Sequence, residues 1–586
     1  MSAVECRDND LVMTTMIPSE TPRLNVADRL AESARRWPDV VAVAEPTRYE
    51  RRNGRRQRCY VQASFSELDA DVDRIARGLV ALGVEPGARM ALLVRPGIDF
   101  IALTFALLRC GAVTVLIDPG MGRKNLIRCL EDAQPEGFVA IPPVHAVRTL
   151  LGRRFARARL NVTVGRRWFW GGVTLGQLRK LDNRSDHVLP TMEADDPATI
   201  IFTTGSTGPP KGVLYRHGNF DAQVTEIRDR YEIQPGEVDL PGFPLFGLFN
   251  AAMGVTTVIP DMDPTRPAQV NPEKIIEAVN DWNVTQAFGS PAIWNRIGRY
   301  CEASGKRLLT VRRVLSAGAP VPADVLRRMT ACIHTEGQMH TPYGATESLP
   351  VASISAREVL SETAEQTDQG AGVCVGRKFS QIDWKVIRIV DGPIRSIEEV
   401  ELPAADEIGE LIVTGPQVTR EYATRSEWNA RSKIADGSRV WHRIGDCGYF
   451  DSQQRFWFCG RVAHRVLTQE GPMYPVQCEA IFNSHPDVFQ SALVGVGPSG
   501  KQRPVLIVER ADGAAPSDDV AIDNVAKDDT ALIRELRRRA TAHRLTQSIR
   551  HFLMHRSLPV DIRHNAKIFR EQLATWAERR VEGRTE

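Results

Sequence analysis

Ten cysteines are scattered along the chain with no CxxC pair and no metal-ligand spacing. That argues against a zinc ribbon or a disulfide scaffold and suits idle or buried thiols in a reducing cytoplasm. No apolar run reaches the about 20 uninterrupted residues that a bilayer span needs. The most apolar stretch, Phe100 to Ile117, is broken by Arg109 and Gly111. It reads as a helix ending near Cys110, a buried strand from Ala112 to Ile117, and a turn at Asp118-Pro119-Gly120. Met1 to Asn9 carries Glu5 and Asp8 and no apolar centre, so it does not read as a signal peptide. Charge of one sign is also scarce. Lys and Arg number 75 against 72 Asp and Glu, and the +3 that remains is too small to argue for nucleic acid. No internal repeat is visible. What is left is the composition of a globular enzyme, long enough at 586 residues for about four domain-sized units.

Strand and helix signals alternate through the first two-thirds. Ser66-Glu-Leu-Asp69 resembles a capping box, and Leu68, Val72, Ile75 and Leu79 follow at helical spacing up to Gly83. Met90 to Val94, Val255 to Ile259 and Val314-Leu315 read as strands. Phe220, Val224, Ile227 and Tyr231 mark a helix, and Pro272 and Pro322 open two more. Such alternation predicts mostly parallel sheets covered on both faces. From about Asp383 the texture turns strand-rich, with Trp384 to Val390 and Glu410 to Val413. A boundary is expected near Gly460, followed by a smaller α+β unit with an acidic loop insertion from Ala511 to Asp529. The arginines from Arg48 to Arg58 surround Asn53-Gly54 and predict a basic hairpin, more simply a solvated one than a docking site.

The strongest chemical signal is Thr199-Ile-Ile-Phe-Thr-Thr-Gly-Ser-Thr-Gly-Pro-Pro-Lys-Gly212. A strand-like run feeds a loop of hydroxyls and glycines with one lysine. Glycines allow close backbone approach, hydroxyls and N–H groups bind phosphate oxygens, and Lys211 adds charge. It is not a Walker A loop, which needs Gly-Lys-Ser/Thr and then a helix. Here Pro210 precedes Lys211, and Val213 to Tyr215 look like a second strand. Thr341-Pro-Tyr-Gly-Ala-Thr-Glu347 supplies an aromatic ring for a base and a carboxylate suited to Mg²⁺. Val314 to Pro320 puts Gly318 and Ala319 at a strand end, where open α/β sheets bind ligands. Trp441-His-Arg-Ile-Gly-Asp446 offers an acceptor for ribose hydroxyls, with Arg461 to follow, and Asp561-Ile-Arg-His-Asn-Ala-Lys567 offers a loop lysine.

These pieces fall in the order and at the spacing of the adenylate-forming superfamily, which the chain resembles from about Val26 to Trp576. The resemblance implies an α/β fold. A large N-terminal domain (residues 1–459) of two α/β subdomains and a β-barrel would be joined by a hinge (460–465) to a small mobile α+β lid (466–586). Carried over, the ATP site is Thr203, Thr204, Gly205, Ser206, Thr207, Gly208, Lys211, Gly318, Ala319, Pro320, Tyr343, Gly344, Ala345, Thr346, Asp446 and Arg461. The resemblance makes Thr203 and Glu347 the magnesium ligands, and Lys567 and Glu347 the catalytic residues. Phe246, Gly247, Phe249, Gly289 and Gly318 would line the acyl pocket.

Three departures narrow the reading. Gly247 stands in Phe243-Pro-Leu-Phe-Gly-Leu-Phe249 where the family often has histidine, which is expected to open the pocket wall. The hinge reads Gly460-Arg-Val-Ala-His464 rather than Gly-Arg-x-Asp-Asp. Gln469-Glu470-Gly471 replaces the paired glycines of the pantetheine tunnel, which argues against a CoA thioester product. The strings Val258 to Pro267, Thr203 to His217 and Asp561 to Lys567 look closest to the olefin β-lactone synthetase branch of bacterial hydrocarbon synthesis. The resemblance therefore implies ATP and Mg²⁺ as cofactors and a long-chain 2-alkyl-3-hydroxy acid as substrate. Other enzymes of that pathway would be its partners, with no nucleic acid and no transmembrane segment. The rival readings are a fatty acyl-CoA or acyl-AMP ligase and, more remotely, a non-catalytic scaffold. For the base that takes the hydroxyl proton, His217, His340, His442 and His464 are the candidates.

Overall fold

A computed structural model describes residues 23–52, 55–181, 188–203, 209–404, 407–511, 527–560 and 568–582. The start of the chain, the tip of the arginine-rich hairpin, Thr204 to Gly208, most of the acidic insertion, and the loop 561–567 with Lys567 lie outside the described residues.

Two large sheets organise the chain. The first has seven strands in the order Val173–Thr174, Leu160–Thr163, Gly137–Ala140, Arg89–Leu93, Val113–Leu116, Pro197–Phe202 and Gly212–Arg216. All its ladders are parallel except the last. The phosphate-loop motif thus leaves one strand and returns as a neighbouring antiparallel strand, so it opens no helix. Helix Phe65–Ala81 packs beside helix Ile98–Arg109 on this sheet, its expected stripe of Leu68, Val72, Ile75 and Leu79 at most 1% exposed. Its cap lies two residues before the expected one. The Ser64 hydroxyl accepts from Glu67 N–H at 3.2 Å and the Glu67 carboxylate accepts from Ser64 N–H at 2.8 Å. The preceding strand, Arg55–Ser64, runs straight into the helix, and Phe65 at its first position is fully buried. Ser66 therefore falls inside the first turn.

The second sheet has fourteen strands. Its parallel half runs Val41–Arg52, Thr256–Val258, Val238–Pro241, Gln286–Gly289, Arg313–Ser316 and Gln338–Ala345. At Gln338–Ala345 pairing turns antiparallel and continues through Ser348–Ser355, Val373–Lys378, Phe456–Arg461, Arg439–Phe450, Gly409–Thr414 and Asp383–Ile387. The ladders among the described residues run from edge to edge and do not close into a barrel. The other edge is the basic hairpin Val41–Arg52 and Arg55–Ser64.

Beyond Arg461 the described strands join neither large sheet. A small hairpin, Val466–Thr468 and Gly471–Met473, precedes a three-stranded sheet of Val488–Val496, Arg503–Arg510 and His551–Met554, packed by helices Pro475–Asn483, Lys527–Ala542 and Arg570–Glu582. This unit touches the rest at Gln369 to Ala371 and where helix Pro475–Asn483 meets strand Phe456–Arg461. His543 Nε2 lies 3.1 Å from the Gln369 carbonyl, and Gln477 donates to the Ala371 carbonyl at 3.5 Å.

Candidate active site

The antiparallel turn of the large sheet brings the scattered motifs together. Asp446 and Arg461 sit opposite each other on neighbouring strands. Asp446 is 2% exposed and meets Arg461 Nε at 2.9 Å, while the Tyr343 hydroxyl donates to its other oxygen at 2.5 Å. Arg461 also donates to the Ile444 carbonyl at 3.0 Å. The carboxylate beside it pushes the Arg461 pKa up, and lost hydration with Asp446 nearby raises that of Tyr343. This cluster is charge-balanced.

A second cluster is not. The Tyr422 hydroxyl donates to Glu347 Oε1 at 2.7 Å, and Thr419 donates to the Glu347 carbonyl from both its N–H (2.9 Å) and its hydroxyl (3.0 Å). Lys211 Nζ stands 4.9 Å from the centre of the Tyr422 ring and 4.3 Å from that of Trp428. Lys433 Nζ stands 5.8 Å from the Tyr422 ring and donates to the Thr419 carbonyl. Desolvation pulls the Lys211 pKa down against the pull of Glu347. For Lys433 the same burial, reinforced by Lys211, lowers it to about 7. Two amines and the Glu347 carboxylate therefore share a poorly hydrated chamber, and the charge of Glu421 also reaches Lys433.

The strand pair bearing the phosphate loop borders this chamber. Thr203 N–H donates to the Lys211 carbonyl at 2.9 Å and Gly212 N–H to the Thr424 hydroxyl at 2.9 Å, while the Tyr215 hydroxyl donates to the Thr346 carbonyl. A Cβ at Gly212 would sit 2.8 Å from Ile200 Cγ2 and 3.1 Å from Thr424 Oγ1, so glycine is needed for this approach. Thr203 Oγ1 and Ser316 Oγ are buried hydroxyl oxygens without a hydrogen-bond partner among the described residues. Gly318, just past Ser316, has φ +101°, a conformation that glycine adopts without strain. The Thr203 hydroxyl, on a residue bonded to the Lys211 backbone, fits a polyanion such as the phosphates of ATP, and the oxygens of Thr203 and Glu347 are of the kind a hard cation takes. Thr204 to Gly208 and Lys567 lie outside the described residues, although the flanks of the Lys567 loop, Val560 and Ile568, pair with each other.

The expected acyl-pocket residues divide. Phe246 stacks on Phe288 with ring centres 3.5 Å apart and lies 6.0 Å from Phe249. These rings share an apolar cluster with Ala317 and Tyr343. Gly289 is pressed against Trp294, where a Cβ would meet the indole at 2.9 Å. At Gly247 a Cβ would point toward Thr257 Cγ2 at 3.3 Å and Pro241 at 3.6 Å. The bare face of this glycine thus serves close packing of helix Phe246–Met253 on the sheet, and on that side the space is filled.

The histidines separate as well. Burial holds the His217 and His340 imidazoles near a pKa of about 4 and His442 well below its usual value. His217 accepts from Val26 N–H at 3.3 Å, and His464 pairs with Glu571 at 3.3 Å. Gln469 and Glu470 form the exposed tip of the small hairpin.

Sequence reading missed Lys433, Tyr422 and Trp428. Lys433 had a usable signal. It lies opposite His442 of the Trp441-to-Asp446 motif, in a hairpin turned by Gly437-Ser438.

Residues 30–423 match the family model described as AMP-binding enzyme. The olefin beta-lactone synthetase of Stenotrophomonas maltophilia (strain K279a) is 45% identical over 566 residues, covering 96% of this chain and 99% of that protein. The protein of the same name from Xanthomonas campestris pv. campestris is 46% identical over 563 residues, 95% of this chain and 98% of its own. Among solved structures, the O-succinylbenzoate coenzyme A synthetase of Bacillus subtilis in complex with ATP and magnesium ion superposes with a TM-score of 0.69 at 20% identity, covering 93% of this chain and 98% of that one. That last likeness establishes the fold.

Proposed function

The chain belongs to the AMP-binding enzyme family, and on that premise we propose that it is an AMP-forming β-lactone synthetase. Its substrate would be a 2-alkyl-3-hydroxy long-chain acid, adenylated with MgATP. The observation that carries this reading is the extent of the likeness: about 45% identity to olefin beta-lactone synthetases along 96% of the chain, lid included.

In the first half-reaction a carboxylate oxygen attacks the α-phosphorus of ATP, and the bond to pyrophosphate breaks. Two anions must meet, so the chamber needs positive charge placed in advance. Lys211 supplies it, Lys433 would take up a proton as the phosphates bind, and Lys567 would bring a third amine from the lid. Asp446, held by Arg461 and Tyr343, would accept the ribose hydroxyls, with Gly318 to Pro320 and Tyr343 to Thr346 around the base. Thr203 and Glu347 would hold Mg²⁺, which when bound screens the phosphate oxygens. In the second half-reaction the substrate's 3-hydroxyl oxygen attacks the activated carbonyl carbon. The bond to AMP breaks, the hydroxyl loses its proton, and a four-membered lactone closes. An internal nucleophile has a high effective concentration, so no thiol acceptor is required. Imidazoles with a pKa near 4 are weak bases, which disfavours His217 and His340 as the proton acceptor. Gly460 to Arg465 would be the hinge between residues 1–459 and the lid 466–586.

The deciding experiment incubates the protein with MgATP and a 2-alkyl-3-hydroxy acid, with and without CoA. AMP, pyrophosphate and a neutral β-lactone should form without CoA. A CoA requirement with accumulation of an acyl-CoA would replace this reading with that of an acyl-CoA ligase.

A further inference from the structure

At the edge of the seven-stranded sheet farthest from the phosphate loop, the chain exposes what soluble proteins normally bury. Of the three aromatic residues among the exposed large hydrophobics of the described residues, Trp168 (63% exposed) and Phe169 (71%) are adjacent in one loop. The loop is anchored. Trp170 between them and the sheet is 3% exposed, donates to the Thr163 hydroxyl at 3.0 Å and stacks on buried His145 at 5.8 Å. That stack ties the loop to helix Pro142–Leu150, whose Pro143, Val147 and Leu150, spaced i, i+4 and i+7, face water. An apolar stripe on the solvent side of a helix beside an outward aromatic pair marks an interaction surface.

The segment that carries it has charge of one sign. From Pro142 to Gly172 the sequence holds seven arginines and no Asp or Glu. Arg154 meets Glu131 at 3.0 Å, and among the described residues the other six form no ion pair. Arg166 and Arg167 directly precede the aromatic pair and are exposed. No helix of the described residues is long and apolar enough to cross a membrane. An exposed aromatic pair preceded by two exposed arginines, on an arginine-rich segment, is the arrangement that seats a protein in the headgroup layer without spanning it.

We propose that this face docks the protein onto an anionic lipid surface, with Trp168 and Phe169 entering the interface and the arginines meeting lipid phosphates. The inference does not depend on the lactone chemistry. The full chain is sedimented with vesicles of phosphatidylcholine alone and of phosphatidylcholine mixed with phosphatidylglycerol. Partition should favour the anionic vesicles by roughly tenfold or more, and should fall as salt rises. Two variants, Trp168→Ser with Phe169→Ser and Arg166→Glu with Arg167→Glu, should each lose roughly tenfold in vesicle binding with thermal unfolding unchanged. If the aromatic pair of changes impairs folding, the charge pair decides. Failure of the parent protein to bind anionic vesicles, equal binding to both kinds, or full binding by a folded variant overturns the proposal. Absence of vesicle binding alongside a discrete protein complex would assign the face to a protein partner instead.

Discussion

Asp446 and Glu347 are both buried carboxylates, and their surroundings differ in kind. Asp446 has a guanidinium at 2.9 Å and a phenol at 2.5 Å, so its charge is answered before any ligand arrives. Glu347 has the Tyr422 hydroxyl at 2.7 Å, and two amines stand 4.9 and 5.8 Å from the centre of that ring. The first cluster is preorganised and neutral. The second carries surplus positive charge at a cost, visible in the lowered pKa values of Lys211 and Lys433. Desolvated charge is retained where a ligand repays it, and the polyphosphate of ATP has the matching sign.

The largest effect should come from removing the amine that the lid would add to the surplus side. Lys567→Ala should lower ATP–pyrophosphate exchange by roughly a hundredfold or more, the scale of a lost transition-state charge contact, with thermal unfolding unchanged. Near-normal exchange would remove Lys567 from the mechanism. On the balanced side, Asp446→Ala should weaken ATP binding by roughly tenfold to a hundredfold, since an ionised acceptor for two hydroxyls is lost. It should also lower the melting temperature, because Arg461 and Tyr343 lose their partner. Calorimetry showing unchanged ATP affinity in a destabilised protein would make Asp446 a structural residue only.

Glu347→Gln sharpens the contrast. An amide still accepts from Tyr422, so the fold should hold. The Mg²⁺ concentration for half-maximal rate should rise by roughly tenfold. An unchanged magnesium dependence would leave Glu347 as a partner of the lysines and not of the metal.

These two clusters were unequally legible in the sequence. Asp446, Arg461, Tyr343, Glu347 and Lys211 stand in short motifs whose residue types announce their chemistry, and the parallel architecture followed from the strand–helix alternation. Lys433 has no such motif. Its place depends on a hairpin register that carries it next to Tyr422, a tertiary fact that periodicity does not encode. Gly247 fails in the opposite direction. Its identity suggested open space, but the direction of its missing side chain, into Thr257 and Pro241, is fixed by how helix Phe246–Met253 lies on the sheet. The capping box was displaced for a local reason, because Ser64-Phe-Ser-Glu67 satisfies the same spacing as the motif that begins at Ser66.

The smallest expected effect concerns Lys433 itself and bears most directly on whether the surplus charge is real. Its folded-state pKa, about 7, lies below the 10.5 of a free lysine. Between those values the unfolded chain holds a proton that the folded chain lacks, so this group makes stability rise with pH across the window, and its penalty is complete below about 7. Lys433→Met removes the penalty. The variant should melt above the parent near pH 6, and that advantage should shrink steadily toward pH 10. ATP affinity should fall only a few-fold, because Lys211 remains. In the parent, bound phosphates should recharge the amine, so ATP binding at pH 8 should take up protons, read as a heat that changes with the ionisation enthalpy of the buffer. A stability advantage independent of pH, with no proton uptake on ATP binding, would mean that Lys433 keeps its charge on the Thr419 carbonyl. The second cluster would then hold its full surplus of charge before any ligand arrives, and Lys433 would not be an amine that ATP recharges.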